Sequence, residues 1–90
     1  GVSQLTKALA GQWAESGIRV NAIAPGWIET EMTQGLRDNP ERAEGIMART
    51  PMKRWGKTSE VGALVRWLLS DEASFVTGSV YPVDGGYLAM

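Results

Sequence analysis

The chain has 90 residues, of which 43% are hydrophobic and 21% are charged, and its formal net charge is −1. This is the composition of an ordinary globular domain, without the basic excess that would neutralise nucleic-acid phosphates or an anionic membrane. The sequence contains neither cysteine nor histidine, so we expect no disulfide, no thiolate chemistry and no metal site of the usual zinc type. We therefore expect no nucleic acid and no membrane as partners, and the lack of cysteine fits a cytoplasmic setting.

The first third of the chain predicts a helix followed by a strand. Apolar residues recur at helical spacing over residues 2–16, and Gly17 then predicts a left-handed cap. Residues 18–24 are short and apolar on both faces, which is typical of a strand buried in a parallel sheet. Because Gly1 runs straight into the helical pattern without an initiator Met, we interpret residues 1–90 as one partial domain cut from a longer protein.

Residues 25–57 are irregular and contain two predicted helix starts. Thr30 is a candidate cap for a turn that opens at Glu31. Asn39, followed by Pro40 at the first helical position, predicts a helix that runs to about Ala48.

The last third of the chain predicts one long helix and one strand. Thr58 or Ser59 is expected to cap a helix with an apolar face that ends near residues 70–71. Residues 79–83 predict a short strand, and Pro82 within it favours the edge of a sheet. The Asp84-Gly85-Gly86 sequence that follows is typical of a turn.

Two strands separated by a capped helix predict a parallel pair with a right-handed crossover, and hence an α/β fold. Such folds bind ligands at the carboxyl ends of their strands, which directs attention to residues 25–30. Pro25 and Gly26 allow a sharp exit and a close approach to a flat ring, while Thr30 offers a hydroxyl. The alternative is that these residues form only a turn and a helix cap, and spacing alone favours that alternative.

Residues 19–30, RVNAIAPGWIET, resemble a segment of the short-chain dehydrogenase/reductase family. The resemblance continues in order through PMKRWG at residues 51–56, the helix at 58–69, and TG followed by VDGG near the end. The opening GVSQLTKALA is similar to the helix that follows the family's Tyr-x-x-x-Lys motif. The most similar groups are the 3-oxoacyl carrier-protein reductases and the sugar-acid dehydrogenases. The resemblance implies the C-terminal part of a Rossmann-type doubly wound parallel sheet.

The resemblance also implies NAD or NADP as cofactor and a small carbonyl or alcohol as substrate. Pro25 and Gly26 would lie against the nicotinamide, and Ile28 would bind its carboxamide through the backbone. Thr30 would contact the carboxamide or the pyrophosphate through its hydroxyl. Residues 31–55 would form a substrate lid, and the candidate substrate contacts are Trp27, Met32 and Leu36. For Met32, and for Met47 and Met52 in the same segment, simple packing is the alternative.

The family's glycine-rich phosphate turn and its catalytic Ser, Tyr and Lys have no counterpart in these residues, so we expect no catalytic residue. Lys7 lacks a Tyr four positions earlier and is expected on a solvated helix face. Tyr81 and Tyr87 are expected to pack. Arg54 would either meet an anionic substrate or phosphate or form a surface ion pair. We expect the chain to be inactive alone and to form homo-oligomers, and the alternative is a non-catalytic, self-associating fragment.

Overall fold

The computed structural model describes residues 1–89. The chain divides into two compact units, each assembled from two stretches of sequence. The first unit combines Gly1–Ala24 with Ala63–Tyr81, and the second combines Pro25–Gly62 with the chain from Pro82 onward. The interpretation of residues 1–90 as one partial domain stays a prediction.

The first unit opens with the predicted helix. Helix α1 spans Val2–Trp13, a 3₁₀ turn continues it over Ala14–Ser16, and Gly17 ends it with φ at +77°. The helix and its left-handed cap are therefore confirmed. Gly17 adopts a backbone conformation that only glycine reaches without steric cost, which explains why the helix stops there.

Strands β1 (Ala22–Pro25) and β2 (Val80–Val83) form a two-stranded parallel sheet. The predicted second strand is confirmed, but the first begins at Ala22 and the prediction of residue 18 was wrong. Val20 donates its N–H to the Thr77 hydroxyl at 3.0 Å, and the Asn21 side chain donates to the Val76 carbonyl at 3.0 Å. A side chain therefore occupies the Val20 N–H, which regular strand pairing would use.

The second unit contains the predicted helix starts. Thr30 caps a 3₁₀ turn over Glu31–Thr33, which leads into the short helix α2, Gln34–Arg37. Helix α3 spans Pro40–Ala48, and the Asn39 side chain accepts a hydrogen bond from the backbone of its first turn. Both starts are confirmed because capping depends on residues only three positions apart.

Helix α4 spans Thr58–Leu68, and its start differs from the prediction. Thr58 is the first helical residue, and neither Thr58 nor Ser59 provides the cap. The Lys57 N–H donates instead to Glu60 Oε1 at 2.9 Å, so a carboxylate three residues ahead takes this role. The helix also ends before the predicted residues 70–71, and a 3₁₀ turn follows over Asp71–Ala73.

We expect Gly26→Ala to destabilise the protein, by about 1–3 kcal/mol in the free energy of unfolding. A Cβ at Gly26 would lie 2.6 Å from Asp84 Cβ and 2.8 Å from Asp84 Cα, so backbone must move. Gly45→Ala in α3 is the matched control, because a Cβ there meets nothing within 4 Å. That control should stabilise the helix by about 0.8 kcal/mol. Urea unfolding of the three proteins measures both effects, and equal midpoints for the two variants would contradict the packing argument.

Candidate functional site

An open hollow of about 570 Å³ lies in the second unit at the end of β1. Most of its wall is apolar, and threonine hydroxyls supply the polar side-chain groups. The structure brings together there five of the residues predicted for the site, and three that were not predicted for it. The lining residues are Pro25, Gly26, Ile28, Thr30, Met32, Thr33, Thr58 and Val61.

The Ile28 backbone is oriented by an isolated parallel bridge to Gly56. The Gly56 N–H donates to the Trp27 carbonyl at 3.0 Å, and the Glu29 N–H donates to the Gly56 carbonyl at 2.8 Å. In this pattern the N–H and C=O of Ile28 both point away from Gly56. The C=O accepts the Thr33 hydroxyl at 2.8 Å, whereas no residue among 1–89 accepts the N–H. An unused backbone donor therefore lies at the hollow.

Thr30 forms a capping box with Thr33. The Thr33 N–H donates to Thr30 Oγ1 at 3.3 Å, and the Thr30 N–H donates to Thr33 Oγ1 at 3.0 Å. The helix-cap role of Thr30 is thus confirmed. Because Oγ1 of Thr30 acts only as an acceptor within the described chain, its own hydrogen remains available to a ligand.

Gly26 has a structural reason of its own to be glycine. Its N–H donates to the Val83 carbonyl at 2.9 Å, and its Cα packs against the Asp84 backbone. The Asp84 carboxylate accepts the N–H groups of Gly86 and Leu88, each at 3.0 Å, and so holds the predicted turn. The absence of a side chain at Gly26 is accordingly explained by this turn without any ligand.

The three candidate substrate contacts are placed differently. Met32 lines the hollow and is 95% exposed. Trp27 packs edge-on against Trp55, with ring centroids 6.1 Å apart, and lines a separate hollow of about 300 Å³. Leu36 is half-buried in α2 and is not among the residues that line either hollow. Of these three candidates, only Met32 lines the hollow that Pro25 and Thr30 also line.

Sequence reasoning missed Thr33, Thr58 and Val61 as lining residues. Thr58 was interpreted as a helix cap and Val61 as part of an apolar helix face. Thr33 carries a signal that was available, since a hydroxyl three residues after the cap Thr30 completes a capping box. The position of α4 relative to β1 has no local signal in the sequence.

Arg54 forms an ion pair, which decides between its two interpretations. Both guanidinium ends donate to the Glu60 carboxylate at 2.8 Å, and the two side chains are 47% and 40% exposed. The hydrogen bonds from Arg54, together with that from the Lys57 backbone, lower the pKa of Glu60 to about 2. The same hydrogen bonding raises the pKa of Arg54.

Other titratable candidates do not gather at the hollow. Tyr87 packs under Arg49, whose guanidinium carbon lies 5.1 Å from the ring centroid. Within residues 1–89 there is no cluster of three or more acidic, His or Cys residues suited to a metal. Over the same stretch, no helix combines the length and the apolar character that crossing a membrane requires. The cytoplasmic setting stays a prediction.

The parallel strand pair, its crossover helix and the hollow at the carboxyl end of β1 define a Rossmann-type α/β fold. The family described as enoyl-(acyl carrier protein) reductase matches residues 1–88. The chain belongs to the short-chain dehydrogenase/reductase family.

Two curated relatives illustrate the similarity. Galactitol 2-dehydrogenase (L-tagatose-forming) of Cereibacter sphaeroides is 52% identical over 86 residues, covering 96% of this chain and 34% of the relative. A 3-oxoacyl-[acyl-carrier-protein] reductase of Thermotoga maritima is 49% identical over 87 residues, covering 96% of this chain and 34% of the reductase. The chain therefore spans about a third of the length of the curated relatives that it matches.

Two solved structures show the same fold. A protein of Agrobacterium tumefaciens, named provisionally as a 2-deoxy-d-gluconate 3-dehydrogenase, was solved with bound NADP. It superposes with a TM-score of 0.96 at 47% sequence identity. The superposition covers 100% of this chain and 37% of the Agrobacterium protein. A 4-hydroxyisoleucine dehydrogenase complexed with NADH gives a TM-score of 0.96 at 35% sequence identity. The superposition covers 99% of this chain and 37% of the dehydrogenase. The predicted family and fold class are confirmed.

We expect acid to remove the stability that Glu60 contributes. Its pKa in the folded protein, about 2, is below its ordinary value of 4.5, so the contribution is present above pH 4.5 and is lost as the pH falls toward 2. The excess thermal stability of the wild type over Glu60→Gln should therefore shrink across this window, and salt should reduce it. Thermal unfolding midpoints from pH 6 to pH 2 measure the difference. Glu44→Gln, outside the ion pair, is the control, and a gap independent of pH would refute the assignment.

Proposed function

We propose that this chain forms the nicotinamide-side wall and the substrate lid of an NAD(P)-dependent oxidoreductase. The parent reaction would interconvert a carbonyl and a secondary alcohol. The observation that carries the proposal is the unused Ile28 N–H beside the Thr30 hydroxyl at one apolar hollow. The relatives support the same class of reaction, because they are oxidoreductases of alcohol and ketone substrates.

The hollow fits the chemistry of a nicotinamide carboxamide. Its carbonyl oxygen needs a donor, which the Ile28 N–H or the Thr30 hydroxyl provides. The flat ring needs apolar contact, which Pro25 and Val61 supply. When bound, the cofactor supplies or accepts a hydride at C4 of its ring. The residues of this chain orient that ring and exclude water from one of its faces.

The same lining explains why this chain would not react by itself. Carbonyl reduction needs a group that passes a proton to the substrate oxygen. The hollow is lined by Pro, Gly, Ile, Thr, Met and Val residues, and none of these side chains titrates near neutral pH. We infer that the proton donor belongs to another part of the whole enzyme, and that this chain only positions the nicotinamide ring.

The lid is proposed for residues 31–55, which include Glu31–Thr33, α2 and α3. Met32 projects from the first turn of this segment with 95% of its surface exposed, beside the proposed nicotinamide site. A flexible thioether in that position suits contact with a small substrate that has both apolar and hydroxylated parts. Leu36, within the lid, and Trp27, which precedes it, do not line this hollow, and we keep both as candidate substrate contacts.

Self-association is the second candidate function, and exposed apolar side chains of the first unit favour it. Phe75 is fully exposed, and Leu69 is 79% exposed at the end of α4. Exposed apolar residues of this size indicate contact surfaces when they occur together. We propose that this chain forms homo-oligomers, either as part of an enzyme or as a non-catalytic, self-associating fragment.

The cofactor role predicts the behaviour of a chimera in which this chain replaces the matching segment of the galactitol 2-dehydrogenase. We expect the chimera to oxidise galactitol with a nicotinamide cofactor, and the isolated 90-residue chain to show no turnover. Thr30→Val should raise the KM for the cofactor roughly fivefold, because one hydrogen bond of about 1 kcal/mol is lost. Thr30→Ser keeps the hydroxyl and should preserve the KM.

Thr6→Val controls for the loss of a hydrogen-bonded threonine hydroxyl, since Thr6 donates to the Val2 carbonyl within α1 and does not line the hollow. Steady-state kinetics of the four chimeras decides. An unchanged KM in Thr30→Val, or cofactor oxidation by the isolated chain, would refute the corresponding part of the proposal.

Self-association predicts dimers or larger species of the chain at micromolar concentration in sedimentation velocity. Phe75→Ser should shift the population toward monomer, because it removes the most exposed aromatic surface. Met32→Ser, an equally exposed apolar change in the second unit, is the matched control. A wild-type monomer would rule out this second function.

A further inference from the structure

The Thr33 hydroxyl lies within hydrogen-bond distance of four polar groups, whereas a helix cap needs only one or two. It lies 2.8 Å from the Ile28 carbonyl and 3.1 Å from the Thr30 carbonyl. It also accepts from the Thr30 N–H at 3.0 Å and from Arg37 Nε at 3.2 Å. A hydroxyl has one hydrogen and two lone pairs. Since the two donors occupy both lone pairs, the hydrogen is directed to a carbonyl, and the Ile28 carbonyl is the nearer.

Arg37 reinforces this arrangement from the end of α2. Its Nη2 donates to the Thr30 carbonyl at 2.8 Å while its Nε donates to Thr33 Oγ1. A planar guanidinium that makes two such bonds restrains both acceptors at once. The same Nη2 also donates to the Gln34 side chain at 3.0 Å, which limits the freedom of the guanidinium itself.

These contacts decide which polar groups remain for a ligand. The Ile28 carbonyl and the Thr30 N–H are both occupied by Thr33. The Ile28 N–H and the Thr30 hydroxyl hydrogen are two donors at the hollow that have no acceptor within residues 1–89. Restraining the carbonyl of Ile28 also restrains its N–H, because both lie on the same side of the extended backbone.

We propose that Thr33, held by Arg37, is a positioning residue that aims the Ile28 N–H and the Thr30 hydroxyl at the carboxamide of the nicotinamide. This inference rests on the proposed cofactor role of the hollow. Thr33 orients the two donors through its hydroxyl, so its effect on the ligand is indirect. Fixing donors before the ligand arrives strengthens binding because less freedom is lost on association.

A capping role alone does not account for the network. The turn over Glu31–Thr33 has three residues, whereas α3 has nine and is capped by the single Asn39 contact at 3.2 Å. The Thr33 hydroxyl also reaches back to Ile28, which lies outside the turn that it would cap. Its bonds therefore organise the strand exit as well as the turn.

The test is a titration of the ¹⁵N-labelled 90-residue chain with nicotinamide mononucleotide, followed by amide chemical shifts. Thr33→Val replaces the hydroxyl with a methyl group of similar size and should weaken binding roughly fivefold. Thr33→Ser should bind within about twofold of wild type. Thr6→Val, which removes the hydroxyl that donates to the Val2 carbonyl at 2.7 Å in α1, makes the same change at a residue that does not line the hollow and should leave the affinity unchanged. In the absence of ligand, the Thr30 amide should exchange faster in Thr33→Val than in Thr33→Ser.

The outcomes separate the two proposals. If wild type does not perturb the Ile28 and Thr30 amides with the mononucleotide, the cofactor role of the hollow fails and the positioning role fails with it. If wild type binds and Thr33→Val binds equally well, only the positioning role fails. Equal weakening by Thr33→Val and Thr6→Val would likewise overturn it, because general loss of stability would then explain the effect.

Discussion

The parallel bridge between Ile28 and Gly56 is the constraint on which the candidate site depends. It consumes the polar groups that flank Ile28 and leaves those of Ile28 itself on the opposite side, toward Thr33 and the hollow. Gly56 suits this approach because a Cβ there would lie 2.7 Å from Ile28 Cδ1. The Ile28 side chain is 9% exposed, so burial of the side chain and orientation of the backbone reinforce each other.

In the proposed role, the site would orient a ligand, and proton transfer would belong to other residues of the whole enzyme. Its lining combines apolar contact with threonine hydroxyls and the Ile28 N–H, which has no acceptor within residues 1–89. These groups suit a planar amide, and none of the lining side chains titrates near neutral pH. Charged groups of the same unit make structural contacts. Arg54 forms an ion pair with Glu60, and the Asp84 carboxylate accepts a backbone hydrogen bond in the turn after β2. This division agrees with a chain that spans about a third of its relatives, since binding and reaction can lie in different segments of one enzyme.

The elements that sequence patterns predicted well are those with local causes. Helix α1 with its Gly17 cap, the Thr30 turn and the Asn39 start of α3 all depend on residues within one helical turn. The start of β1 was wrong because its causes are distant. Thr77 occupies the Val20 N–H from 57 positions away, and no local pattern contains that pairing.

For the site, the residue order by itself determined the family resemblance and the prediction that Pro25, Gly26, Ile28 and Thr30 lie together, because a strand exit has to be encoded in consecutive residues. Only the tertiary structure decided which contacts each of them makes. Asp84, 58 positions from Gly26, explains that glycine, and Gly56 orients the Ile28 backbone. Hydrogen bonds and close contacts between distant segments depend on three-dimensional distance, which spacing along a chain does not contain.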